Sequence, residues 1–90
     1  MTHMSRTEVT LLRLAEPNAV LFIRRRDCAS VIMRKKEDGS YRITKNLQFH
    51  QVHPLIDQGY VELANVTGLS LTYRITAKGR KRSMKRKGKD

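Results

Sequence analysis

Apolar residues recur in two rhythms along the chain, and the change of rhythm marks its elements. In TEVTLLRLAEP, residues 7–17, Leu11, Leu12, Leu14 and Ala15 fall on one side of a helix, with Val9 nearby. Ser5-Arg6-Thr7-Glu8 ahead of them fits a capping box, in which the Ser hydroxyl and the Glu carboxylate satisfy orphan amides reciprocally. Residues 1–4 read as a loose lead-in. Pro17 lacks the N–H a helix needs, and Pro17-Asn18 predicts a turn.

Residues 19–45 read as extended. Ala19-Val20-Leu21-Phe22-Ile23 is a buried type of strand or a short irregular link, and with Arg24-Arg25-Arg26 behind it a helix stays open. CASVIMRKK and SYRITK flank Glu37-Asp38-Gly39, and Asp-Gly is a hairpin signal because Gly adopts positive φ without steric cost. Val31 and Met33 alternate with Ser30 and Arg34, as Tyr41 and Ile43 do with Arg42 and Thr44. The helical rhythm then returns. Asn46 can cap a helix over 46–58 whose apolar face is Phe49, Val52, Leu55 and Ile56. Pro54 should bend it and Gly59 should end it. Tyr60–Val66 and Leu69–Thr76 predict a second hairpin around Thr67-Gly68. Thr76 can cap one last short helix. From Ala77 onward only Ala77 and Met84 are apolar, so residues 79–90 read as a basic, disordered tail on a domain spanning 1–78. The pattern as a whole is α+β: helix, hairpin, helix, hairpin, tail.

Ninety residues bury one modest core, with stability on the order of 5–10 kcal/mol. Charge changes the picture more than size does. Nineteen Lys and Arg against eight Asp and Glu leave +11, a self-repulsion usually relieved by a polyanion such as nucleic acid. The longest apolar run, Ala19–Ile23, is far short of the ~20 residues a membrane span needs, and no signal peptide is visible. The single Cys28 cannot form an internal disulfide, so a reducing cytoplasm is the expected setting.

LIDQGYVEL and YRITAKG, within residues 55–79, resemble the winged-helix domains of small bacterial and phage regulators. The matching residues are Leu55, Ile56, Gly59, Tyr60, Val61, Tyr73, Arg74, Ile75, Thr76 and Gly79. The resemblance implies a helix sealed on a sheet by Leu55 and Ile56, a chain reversal at Gly59, and a hairpin wing. It departs in the first half, where an extended hairpin around Asp38-Gly39 stands in place of the usual second helix. That order is similar to the small YjhX-type family of topoisomerase-inhibiting toxins, with Ser5-Arg6-x-Glu8, Leu14-Ala15, Arg26-Asp27 and Tyr73-Arg74-Ile75 in compatible places.

The candidate chemistry is nucleic-acid binding. In GRKRSMKRKGK, Arg80, Lys81, Arg82, Lys85, Arg86, Lys87 and Lys89 can each neutralise a phosphate and release counterions. On helix 46–58 the outer face is expected to carry Leu47, His50, Gln51, Pro54 and Gln58, beside Asp57. Lys45, Gln48, His50 and Gln51 are the expected helix contacts, and Thr67, Ser70 and Thr72 the expected wing contacts. Arg24-Arg25-Arg26 and Arg34-Lys35-Lys36 can lie together on one face if their strands pair; the alternative is solvated strand edges. His50-x-x-His53 with Cys28 falls short of the four ligands of a zinc site, so no metal or other cofactor is expected, and Cys28 reads as a small apolar filler. No nucleophile stands beside a base, and no glycine-rich phosphate loop occurs, so an enzyme is not expected. Tyr41, Tyr60 and Tyr73 sit at strand positions that packing explains.

The expectation is therefore a non-enzymatic DNA-binding protein. It would be a transcription regulator or a phage or plasmid protein, monomeric by default with a homodimer possible, binding duplex DNA or, alternatively, RNA or the ribosome. The rival from another class is an inhibitor or adaptor with a protein target, such as a topoisomerase.

Overall fold

The computed structural model describes residues 5–87. Its elements run α1 (Arg6–Leu14), β1 (Ala19–Arg24), β2 (Ser30–Lys35), β3 (Tyr41–Leu47), α2 (Phe49–Asp57), β4 (Val61–Val66), β5 (Ser70–Ile75) and α3 (Ala77–Lys87). The capping box of α1 forms: the Glu8 N–H donates to Ser5 Oγ at 3.1 Å, and the Ser5 N–H to Glu8 Oε1 at 2.9 Å.

All five strands make one antiparallel sheet in the order β3-β2-β1-β5-β4. The run left open at 19–23 is its central strand. Pairing on both sides satisfies the backbone of this apolar segment, which a loop would leave unpaired. The register Leu21↔Ile32 and Leu21↔Tyr73 sets one face of the sheet. Leu21, Ile23, Ile32, Leu47, Val61 and Ile75 point from that face into the core, where Leu11 and Leu14 of α1 and Val52 and Leu55 of α2 meet them. α1 packs on β1 and β5, α2 on β4, and α3 on β5 and α1. Among the described residues, no helix packs on the other face.

This α+β architecture, with three helices and one five-stranded antiparallel sheet, differs in several particulars from the expected order. A three-stranded meander, not a single hairpin, separates α1 from α2. Helix α2 starts at Phe49 rather than Asn46. Asn46 and Leu47 extend β3 through pairing with Val31 and Ser30, and Leu47 is 8% exposed in the core, not on an outer helix face. In β2, Ser30 and Ile32 face the core, while Val31 and Met33 face out. In β3 a register shift opposite Ile32/Met33 turns Tyr41 and Ile43 to the uncovered face, where they are 53% and 54% exposed.

The largest difference is the tail. Residues 77–87 form α3 rather than a disordered arm, and the masking of order by charge explains why the sequence hides it; residues 88–90 of the expected tail, like the lead-in 1–4, lie outside the described residues. What seats α3 is small and polar. Thr76 caps it, accepting from the Gly79 N–H at 3.1 Å through Oγ1 while donating that hydroxyl to Gly59 O at 2.7 Å. Gly79 is buried against the Tyr60 carbonyl and Ile75, and Ser83 is 2% exposed with its hydroxyl on Arg80 O. A Cβ at position 79 would overlap the Tyr60 carbonyl oxygen and come within 2.7 Å of Ile75 Cγ1. Gly79→Ala should therefore destabilise the fold by about 1–3 kcal/mol, although alanine is the better helix former. Urea denaturation checks this; a variant as stable as the parent would show that α3 is not seated there.

Candidate nucleic-acid interface

The antiparallel register collects distant segments at one end of the sheet. The pairs Leu47↔Ser30, Ser30↔Ile23, Ile23↔Leu71 and Leu71↔Val66 form its last continuous row. Beyond that row lie the β1–β2 turn, the β4–β5 turn and the junction of β3 with α2. So Gln48 and His50, at the start of α2, share an end of the molecule with Thr67 and Ser70.

The two turns are physically joined. The Arg25 N–H donates to Leu69 O at 3.0 Å, and Arg25 Nη1 donates to Thr67 O at 3.2 Å. Within the β4–β5 turn, Thr67 Oγ1 accepts from the Ser70 N–H at 2.9 Å and the Leu69 N–H at 3.2 Å. Thr67 is thus engaged in shaping the tip. Leu69 stands out from it, 81% exposed. In the β1–β2 turn, Arg24 makes a two-point contact with Asp27, Nε to Oδ1 at 2.9 Å and Nη2 to Oδ2 at 2.8 Å. Arg26 is exposed beside them. Cys28 is exposed at φ 60, closing the turn through its N–H to Arg24 O at 2.8 Å, and is no core filler.

Other expected contacts fare differently. Lys45 pairs with Ile32 and is half-buried on the helix-bearing face. Gln51 Oε1 accepts from the Gln48 N–H at 2.9 Å, so its side-chain carbonyl caps its own helix rather than standing free to read a base. Thr72 lies on the uncovered face opposite Phe22. His53 does not lean into the core: it is exposed and pairs with Asp57, Nδ1 to Oδ2 at 3.2 Å. The two basic clusters on β1 and β2 do not come together. Ala19 pairs with Arg34 while Ile23 pairs with Ser30, which puts Arg34–Lys36 at the opposite end of the sheet from Arg24–Arg26.

Helix α3 carries Lys78, Arg80, Lys81, Arg82, Lys85, Arg86 and Lys87 among its eleven residues, with no acidic side chain. Its first turns are fixed to the domain by charge as well as by packing. Lys78 Nζ lies 5.5 Å from the Tyr60 ring centroid and the Arg82 guanidinium 6.0 Å, two cation–π contacts on one ring. Arg80 Nη1 reaches Ala15 O at 3.4 Å, at the end of α1. Lys81 is exposed. The link between the arginine turn and the β4–β5 tip, and the part of Lys78, were missed in the sequence. Both depend on pairings between segments more than forty positions apart or on the seat at Tyr60.

Most of the acidic side chains serve local structure: Glu8 caps α1, Glu16 and Asp27 pair with Arg13 and Arg24, Asp38 bonds Ser40, and Asp57 holds His53. Arg26, Lys35, Lys36, Arg42, Arg74 and Lys81 are exposed with no ion pair among the described residues. No family model, no curated protein and no solved structure matches this chain. No helix among the described residues is long and apolar enough to cross a membrane.

The arginine turn has a titratable anchor. The hydrogen bonds from the Arg24 guanidinium, followed by the Ala29 N–H, hold the Asp27 carboxyl at about 2, below its ordinary 3.8. A carboxyl whose value is lower in the folded chain stabilises the fold above its unfolded value and loses that contribution as pH falls through the folded one. The urea midpoint should thus decline as pH drops from about 4 to about 2, and Asp27→Asn should make that decline shallower. Asp38, lowered by Ser40, keeps part of the slope in the variant. Identical pH profiles for parent and variant would show that the pair contributes nothing to stability.

Proposed function

We propose that the protein is a small non-enzymatic DNA-binding protein that holds duplex DNA mainly by its phosphate backbone. The observation that carries this reading is α3: seven cations in eleven residues, anchored on the folded domain through Thr76, Gly79 and Ser83. Such a helix is poorly stable alone. Lys78–Arg82, Lys81–Lys85 and Arg82–Arg86 are like-charge pairs at i,i+4, each costing about 0.2–0.5 kcal/mol. A polyanion removes that cost and gains counterion release, so charge density that is a burden to the free domain favours the bound one.

The α2–β4–β5 unit acts as the winged-helix-like part of the interface. Gln48 and His50 stand at the start of α2, and Arg26 and the Thr67–Ser70 tip stand at the same end of the sheet. With no Lys or Arg on α2 and Gln51 committed to capping, base reading is limited to few contacts, and binding is governed by salt more than by sequence. The function fits a DNA-coating or accessory regulatory role better than that of a sharply specific repressor.

The test replaces Lys81, Lys85 and Arg86 by Gln, which keeps helix propensity and the buried Gly79 and Ser83. For a labelled duplex, each lost phosphate contact reduces the slope of log affinity against log salt by about 0.9, so the triple variant should lose between about 2 and 3 units of slope. An unchanged slope with native circular dichroism would remove α3 from the interface.

A further inference from the structure

The uncovered face of the sheet carries a group of apolar and aromatic side chains. It is the face opposite the core, and the strand register fixes its members. One row across it reads Ile43, Met33, Val20, Arg74; a neighbouring row places Val31, Phe22 and Thr72 side by side. Val20, Phe22, Met33 and Tyr41 line a shallow concavity whose other wall, Ala64, Asn65, Ser70, Thr72 and Arg74, is mostly polar. Two of these side chains are aromatic. Tyr41 is 53% exposed, so packing does not account for it, and Ile43 beside it is 54% exposed.

The charges on this face select among occupants. Lys35, the register partner of Tyr41, is exposed, as is Arg74, the register partner of Glu62. Neither makes an ion pair among the described residues, although Glu62 is at hand for Arg74. A second copy of the chain would set two like-charged molecules face to face, adding +11 to +11. A duplex offers phosphates to such a surface but keeps its bases stacked inside. Only an unpaired strand presents both flat π faces for Phe22 and Tyr41 and phosphates for Lys35 and Arg74.

We propose that this face is a binding platform for single-stranded nucleic acid, on which two or three unpaired bases lie against Phe22, Tyr41 and Met33. Lys35 and Arg74 hold the flanking phosphates, and Asn65 and Thr72 supply hydrogen-bonding groups to base edges. Stacking on an open sheet is tolerant of sequence, because every base has a π face. The platform rests on the reading above only in taking the partner to be nucleic acid; it uses the opposite face of the sheet from α3, and Tyr41, at the far end of that face from the joined turns, separates the two sites.

The experiment titrates short labelled oligouridylate, oligothymidylate and a duplex with the full chain, with Phe22→Leu, with Tyr41→Leu and with the Gln triple variant of α3. Leucine keeps apolar area and removes the π face, so it separates stacking from simple hydrophobic contact. Each Leu variant should weaken single-strand binding at least about five-fold, on one or both oligonucleotides, and Tyr41→Leu should leave duplex affinity unchanged. Tyr41→Leu alters an exposed position and keeps the test valid if Phe22→Leu fails to fold. Leu variants that bind single strands as tightly as the parent would overturn the platform. So would a concentration-dependent dimer that Tyr41→Leu dissolves, which would assign the face to a second copy. A parent chain that binds single strands in a Tyr41-dependent way but ignores duplex would uphold the platform and overturn the duplex reading alone.

Discussion

The basic helix depends on one junction. Thr76, between β5 and α3, receives and gives four hydrogen bonds: its N–H to Tyr60 O, its hydroxyl to Gly59 O, the Gly79 N–H to its hydroxyl, and the Arg80 N–H to its carbonyl. Together they lash the end of the last strand to the turn after α2 and start a helix in the same place. Gly79 then lets that helix lie directly on the Tyr60 carbonyl. Without this seat, eleven residues with seven cations and almost no apolar surface would have no reason to be helical. With it, Lys78 and Arg82 bracket the Tyr60 ring.

The same economy runs through the acidic residues. Capping, turn closure and pairing with a neighbouring cation engage most of them, which leaves the positive surplus on α3, on the arginine turn and along the sheet. The domain therefore offers cations on both layers, the helical one and the bare sheet. The two differ in what accompanies the charge. On α3 the charge comes with little else, which suits phosphates. On the sheet it comes with Phe22, Tyr41 and Met33, which suits bases that have left their stack.

Legibility in the sequence followed the range of the interaction. The capping box of α1, the Asp38-Gly39 turn, the glycine stop after α2 and the β4–β5 hairpin are short-range features, and each stands where the pattern placed it. The central place of β1 rests on pairing with β5, some fifty positions away, and no local signal carries that. The shift at Thr44 reverses which side chains of β3 face the core, so alternation alone gave no warning that Tyr41 and Ile43 are exposed. Composition concealed α3 because its support lies in Thr76, Gly79 and Ser83, not in apolar residues. Thr76 as the cap of a last helix was legible; that the helix runs on through the basic residues to Lys87 was not. Of the expected contacts, Thr67, Ser70, Gln48 and His50 share one end of the sheet, while Gln51 is turned to capping and Lys45 toward the helical layer.

Amide chemical-shift mapping on titration with a duplex at near-physiological salt tests the central claim most directly. If the helical layer and the joined turns hold duplex DNA, shifts should concentrate at residues 25–28, 67–70 and 77–87, and weaken together as salt is raised. Shifts confined to β2 and β3, around Met33, Tyr41 and Ile43, or no shifts at all, would contradict it.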